Sequence, residues 1–217
     1  MIRRNAADFG KQLDTNRVAK VGRKVIFIIV IVIVLFWGLY AYRLLSSDLL
    51  IDLRTSGGWI TPGVSSYHVI NSKTGGVTYV LPFAAPLIGY TSQQLKDCTK
   101  PYNGFVKARA GKLIPDIAHD IDISGYYDED TVIFTSYGEQ KIYKYSLSGD
   151  QCTFLAHVEG LNEALAANGK VFISAKAYGS AMPTTTIFRY YPDSAELVKI
   201  KRYVFGSKNL VLLNVLK

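Results

Sequence analysis

The sequence is expected to form a mainly β protein: a single N-terminal transmembrane helix followed by an antiparallel, β-rich exported domain. Three observations predict this. Val25 to Tyr42 is an unbroken run of apolar and aromatic residues without a single charge. Beyond it, short apolar stretches rich in β-branched and aromatic types are cut by Gly, Asp and Ser, and Tyr alone numbers 15 in the chain, the composition of strands and tight turns. The 217 residues are 49% hydrophobic and 19% charged, too apolar for a disordered chain and long enough for one modest domain.

Taken in order, residues 1–24 form a basic tail. It holds Arg3, Arg4, Lys11, Arg17, Lys20, Arg23 and Lys24, whereas the stretch just past the apolar run holds only Arg43 and Arg54. The positive-inside rule therefore places the N-terminus in the cytoplasm and the C-terminal domain outside, in the periplasm of a cell with an inner membrane. Phe9 and Leu13, at i and i+4, suggest a short surface helix in the tail. The tail is too short for a kinase, cyclase or receiver domain, so a sensor with its own cytoplasmic enzyme is not expected.

Residues 25–42 are the transmembrane helix, about 27 Å at 1.5 Å per residue, enough to cross a hydrocarbon core. Ile and Val favour strands in water, but in lipid the backbone must satisfy itself within the segment, and a helix is the single-segment solution. Trp37, Tyr40 and Tyr42 gather at its C-terminal end, where amphipathic rings sit at headgroup level. YAYRLLSS has no small-residue cleavage pattern of the A-x-A kind, which favours a retained anchor over a signal peptide. The run also lacks the early glutamate of a type IV pilin anchor.

Residues 43–66, with TSGGWITPG, have the composition of a juxtamembrane linker or stalk. Residues 67–217 then read as the extracytoplasmic β domain. The formal net charge of +8 is concentrated in the tail, so the high pI calls for an anionic leaflet rather than nucleic acid. Two short helices are expected in this part, Thr91 to Asp97 and, more weakly, Leu161 to Ala167.

Self-comparison finds a repeated pattern. Val132-Ile133-Phe134-Thr135 and Val171-Phe172-Ile173-Ser174 are followed by Tyr137-Gly138 and Tyr178-Gly179, then by Lys141 to Tyr145 and Thr186 to Tyr190. The second elements are offset by 45 residues, and that offset continues through Ser148-Gly149-Asp150 and Asp193-Ser194-Ala195 into Cys152-Thr153-Phe154 and Leu197-Val198-Lys199. A partial copy runs from Tyr67 to Val80. A repeat of this length, with successive strands and tight turns, resembles a β-propeller blade. The chain has room for three such units, below the four to eight of closed propellers, which leaves a partial propeller or a sandwich.

Cys98 and Cys152 both fall on the exported side, where a disulfide is the expected use. Closing a loop of about 55 residues would contribute roughly 4 kcal/mol in the chain-entropy account. His68, His119 and His157 share no metal-ligand spacing and read as structural. There is no G-x-S-x-G elbow, and Ala110-Gly111-Lys112-Leu113 lacks the hydroxyl and the first glycine of a phosphate loop. No catalytic motif is present, and the protein is not expected to be an enzyme.

One constellation carries possible chemistry. Asp120, Asp122, Ser124 and Asp128, with Gly125 between them, follow the D-x-D-x-S-G-x-x-D oxygen spacing of a calcium loop. The resemblance to an EF-hand fails at Thr131, where a bidentate glutamate belongs, and in the absence of flanking amphipathic helices. Ile121 and Ile123 alternating with Asp122 describe instead a strand with one solvated face running into a hairpin loop, which is the expected reading over a calcium loop, and no resident cofactor is expected.

Topology thus suggests a single-pass structural or interaction subunit of a cell-envelope complex. The alternatives are an anchored hydrolase using the aspartate-rich loop to hold a cation, and a ligand-binding ectodomain coupled to another membrane protein. Besides the lipid bilayer, the partners expected are envelope or membrane proteins. Leu210 to Leu216, six apolar residues in seven, is costly to leave in water, so it is expected as the contact for another chain or, alternatively, as a buried closing strand or helix of this domain.

Overall fold

The structure is a computed structural model that describes residues 6–55, 65–91, 121–177, 183–204 and 208–216. The chain divides into two units, Met1–Arg43 and Leu44–Lys217. In the first, the apolar run belongs to a helix α1, Ala6–Leu45. Its segment Val21–Leu45 is long and apolar enough to cross a membrane, and the apolar side chains from Val25 to Phe36 are exposed. Phe36, Trp37 and Tyr40 stack edge to face, with centroids 5.9 and 5.7 Å apart.

The second unit is mainly β, as expected: twelve strands in three antiparallel four-stranded sheets among the described residues. In chain order they are β1 (Leu49–Thr55), β2 (Ser65–Asn71), β3 (Gly76–Tyr79), β4 (Ile121–Tyr126), β5 (Thr131–Ser136), β6 (Lys141–Ser146), β7 (Gln151–His157), β8 (Leu161–Ala167), β9 (Lys170–Ala177), β10 (Thr184–Tyr191), β11 (Glu196–Val204) and β12 (Lys208–Val215). The first sheet runs β12-β1-β2-β3, the second β4-β5-β6-β7 and the third β8-β9-β10-β11. The second and third are simple meanders; the first recruits its edge strand from the far end of the chain.

Two expectations are corrected here. Residues 49–55, expected within a linker, form β1, flanked on both sides by hydrogen-bonded strands; Leu49, Leu50 and Ile51 have no exposed surface. Leu161 to Ala167, expected as a short helix, is β8. Its Ala- and Leu-rich composition favours a helix, but pairing with β9 buries Ala164, Leu165 and Ala166 on both faces of the sheet, and tertiary packing outweighs propensity. The other expected helix lies almost wholly outside the described residues.

The run Leu210 to Leu216, the candidate partner contact, is likewise corrected. Leu210–Val215 lies in β12, which pairs antiparallel with β1, and Leu210, Leu212, Leu213, Val215 and Leu216 are all buried in the domain's own core. The fold spends that apolar surface internally, at about 25 cal/mol per Å².

The third sheet lies between the other two. One of its faces packs Leu165, Phe172 and Ile187 against Leu49, Ile51 and Leu212 of the first sheet. The other packs Ala164, Val171 and Ile173 against Ile133 and Ile142 of the second. A strand buried on both faces loses the polar alternation expected of a half-exposed strand, which is what β9 shows. The remaining face of the second sheet gathers Ile121, Ile123, Val132, Phe134, Tyr143 and Tyr145, with Phe134 and Tyr143 stacked at 5.2 Å.

The two segments that share the sequence pattern each form three consecutive antiparallel strands, β5-β6-β7 and β9-β10-β11. The β5–β6, β6–β7 and β10–β11 hairpins each turn through four residues, with the last at positive φ: Gln140, Asp150 and Ala195. Strands β4 and β8 approach closely at Gly125, where a Cβ would stand 2.1 Å from the Ala166 carbonyl oxygen.

Candidate functional site

The aspartate-rich stretch is built on β4 and the loop to β5. Asp122 lies on β4 and accepts a hydrogen bond from the Tyr137 hydroxyl at 3.0 Å. Ser124 is the extra residue of a β-bulge, marked by the register shift between Ile123 and Gly125; its side chain is buried and its hydroxyl has no hydrogen-bond partner among the described residues. Asp128 caps the loop, its Oδ1 accepting from the amides of Asp130 at 2.9 Å and Thr131 at 2.7 Å. This is the local bonding that makes Asp a turn residue. Asp120 lies outside the described residues.

Sequence spacing missed Asp130, the acid that joins two hairpins. Its carboxylate accepts from the Ser146 hydroxyl at 2.8 Å and the Ser148 amide at 2.7 Å, and these bonds hold its carboxyl below the usual range. Among the described residues, no group of three or more His, Cys, Asp or Glu is arranged to hold a metal ion. Asp128 and Asp130 hold the loop between β4 and β5, while Asp122 sits within β4.

A second polar group lies where β4, the β5–β6 turn and β8 meet. Burial, then the charges of Asp122 and Glu163, push the Tyr137 phenol far above its usual value. Glu163 Oε2 accepts the Leu212 amide at 2.7 Å, tying β8 to β12. The sequence signal for both acids is a lone charge inside an apolar strand: Asp122 between two isoleucines, Glu163 in Leu161 to Ala167.

Cys152 sits half-buried on β7 as a free thiol. Burial, with the Asp150 charge behind it, pushes its pKa up to about 11, so the unreactive thiol form holds at neutral pH. Cys98 lies outside the described residues. His68 on β2 stacks edge to face on Tyr79 at 5.4 Å, a packing role.

Two surfaces stand out from the rest of the domain. The first is β11, the edge of the third sheet, which pairs only with β10 among the described strands. It exposes Leu197, Val198 and Val204 together with Lys199, Lys201 and Arg202. The second is a cleft of about 650 Å³ lined by Leu44, Ser47, Leu87, Tyr90, Asn214 and Leu216, among others. Asn214 Nδ2 donates to the Tyr90 hydroxyl across it. No protein-family profile matches this chain, nor does any curated protein sequence.

Proposed function

We propose that the chain is a non-catalytic, single-pass membrane protein of the cell envelope, its N-terminus cytoplasmic and its β domain extracytoplasmic, that serves as a structural or interaction subunit of a protein complex. The observation that carries this reading is the β11 edge. An exposed edge strand is a template for another strand, and soluble proteins usually blunt or cover it. Lys199, Lys201 and Arg202 blunt this one against a copy of itself, while Leu197, Val198 and Val204 leave it apolar enough to bind. That combination suits β-augmentation by an extended segment carrying acidic and apolar residues.

The propeller-like reading belongs with this proposal. The three sheets act as blades, with β12 as the strand that closes the first onto the end of the chain, and the blades' outer strands are the ones offered to partners. A Cys98–Cys152 bridge would pin β7 to the segment between β3 and β4.

The test is photo-crosslinking of the full chain in native membranes from a photoreactive residue at Val198. A discrete protein adduct, lost in the Lys199→Glu/Lys201→Glu variant, is expected. A folded, membrane-embedded protein that gives no adduct from β11, or an adduct indifferent to those charges, would overturn the proposal.

A further inference from the structure

We infer that the segment Pro82–Ile88 is a second membrane contact, which seats the β domain directly on the bilayer with Phe83 and Leu87 inserted at the headgroup boundary. This rests on the reading of α1 as a membrane anchor.

Within the β unit, Leu44 and Leu45, the last residues of α1, line one cleft together with Leu87 and Ile88 of the 3-10 helix Pro82–Ile88. Leu44 and Leu45 follow Tyr42 by two and three residues, less than one helical turn, or about 5 Å, beyond the aromatic belt. Whatever lies against them lies at headgroup level.

The segment's chemistry suits that depth. From Val77 to Thr91 the chain carries no charge. Ala84 and Ala85 turn inward and are buried, while Phe83 is 66% exposed, Leu87 45% and the neighbouring Leu45 64%. A Phe and a Leu held outward on an uncharged loop are a liability in water and an anchor in the interface, where burial of apolar side chains drives binding. The loop is also stiff. Pro82 and Pro86 fix its backbone, Gly89 N–H closes it onto the Pro86 carbonyl at 3.1 Å and Tyr90 N–H onto the Ala85 carbonyl at 3.1 Å, and the Tyr90–Asn214 hydrogen bond ties it to β12. Little conformational entropy remains to be lost on insertion. Continuity with the bilayer that holds α1 selects lipid, rather than an apolar segment of another protein, as the occupant.

The experiment places p-benzoylphenylalanine at Phe83 or at Leu87 in the full chain, in membranes containing radiolabelled phospholipid. Val30, inside the span, is the positive control, and Phe154, 53% exposed on β7, the negative one. Label transfer to phospholipid from both loop positions, comparable to that from Val30 and absent at Phe154, is expected. Transfer at Val30 with none at the loop, or with a protein adduct there, would overturn the inference while leaving the anchor intact. Failure at Val30 would overturn the anchor and the inference with it. Both loop side chains are exposed, so the substitutions spare the core, and an unchanged near-UV tyrosine signal checks this.

Discussion

Gly125 and Ala195 show how tightly single backbone positions are set. Gly125 has φ of 133°, a region other residues rarely adopt, and it faces the Ala166 carbonyl of β8. Gly125→Ala should therefore cost about 2–4 kcal/mol through strain and clash together, read as a lowered denaturation midpoint. Ala195 is the opposite case, with φ of 52° in the β10–β11 turn, where glycine is the better residue. Ala195→Gly should raise stability by about 0.5–1 kcal/mol in the same measurement. At Cys152 the raised pKa gives a rate prediction. A shift from 9.0 to about 11 leaves roughly a hundredfold less thiolate at pH 8, so alkylation of the reduced native protein should be slower than that of an unfolded control by about that factor. The sign for stability follows: a thiol favoured in the folded state stabilises below its unfolded pKa, and that contribution is lost as pH rises from 9 towards 11. If Cys98 and Cys152 are bridged, Cys152 should resist alkylation altogether until a reductant is added.

At the scale of elements, β12 explains why the C-terminal run is so apolar. It is an edge strand by position but a core strand by burial, packed on β1 and against β8 through Leu212 and the Glu163 carboxylate. Leu212→Ala should cost about 2–5 kcal/mol, and deletion of Leu210 to Lys217 should unfold the β domain rather than merely release a partner, which circular dichroism of the truncated domain will decide. This also marks where sequence reasoning stopped. Strands β5, β6, β7, β9, β10 and β11 were legible because period-two patterning and Ser-Gly-Asp or Asp-Ser-Ala turns are local signals. The transmembrane-length helix was legible because eighteen uncharged residues have few other uses. β1 and β8 were not, since one follows the anchor directly and the other is written in helix-forming residues; only partners distant in sequence make them strands. The acidic stretch, expected as a strand and hairpin loop with a calcium loop as the lesser reading, is ambiguous for the same local reason. The residue types that ligate calcium are those that cap hairpins, and at Asp128 the lone pairs are taken by backbone amides two and three residues on.

For the whole molecule, the arrangement is a β domain whose chain leaves the end of a long apolar helix and enters a core strand only a few residues later, at Leu49. β1 begins at Leu49, four residues after the helix ends at Leu45. The proposed docking of Pro82–Ile88 and the proposed partner edge at β11 both depend on that helix residing in a membrane, with the tail on the cytoplasmic side and everything from Arg43 onward outside. Seven basic residues before the apolar run against two just after it are the basis of the orientation proposed. The most direct test fuses, after Lys217, a reporter that is active only outside the cytoplasm and, in parallel, one active only within it. The account predicts activity from the first alone, in a protein that stays in the membrane fraction after alkaline extraction. Activity from the cytoplasmic reporter alone, or release of the protein from the membrane, would contradict it.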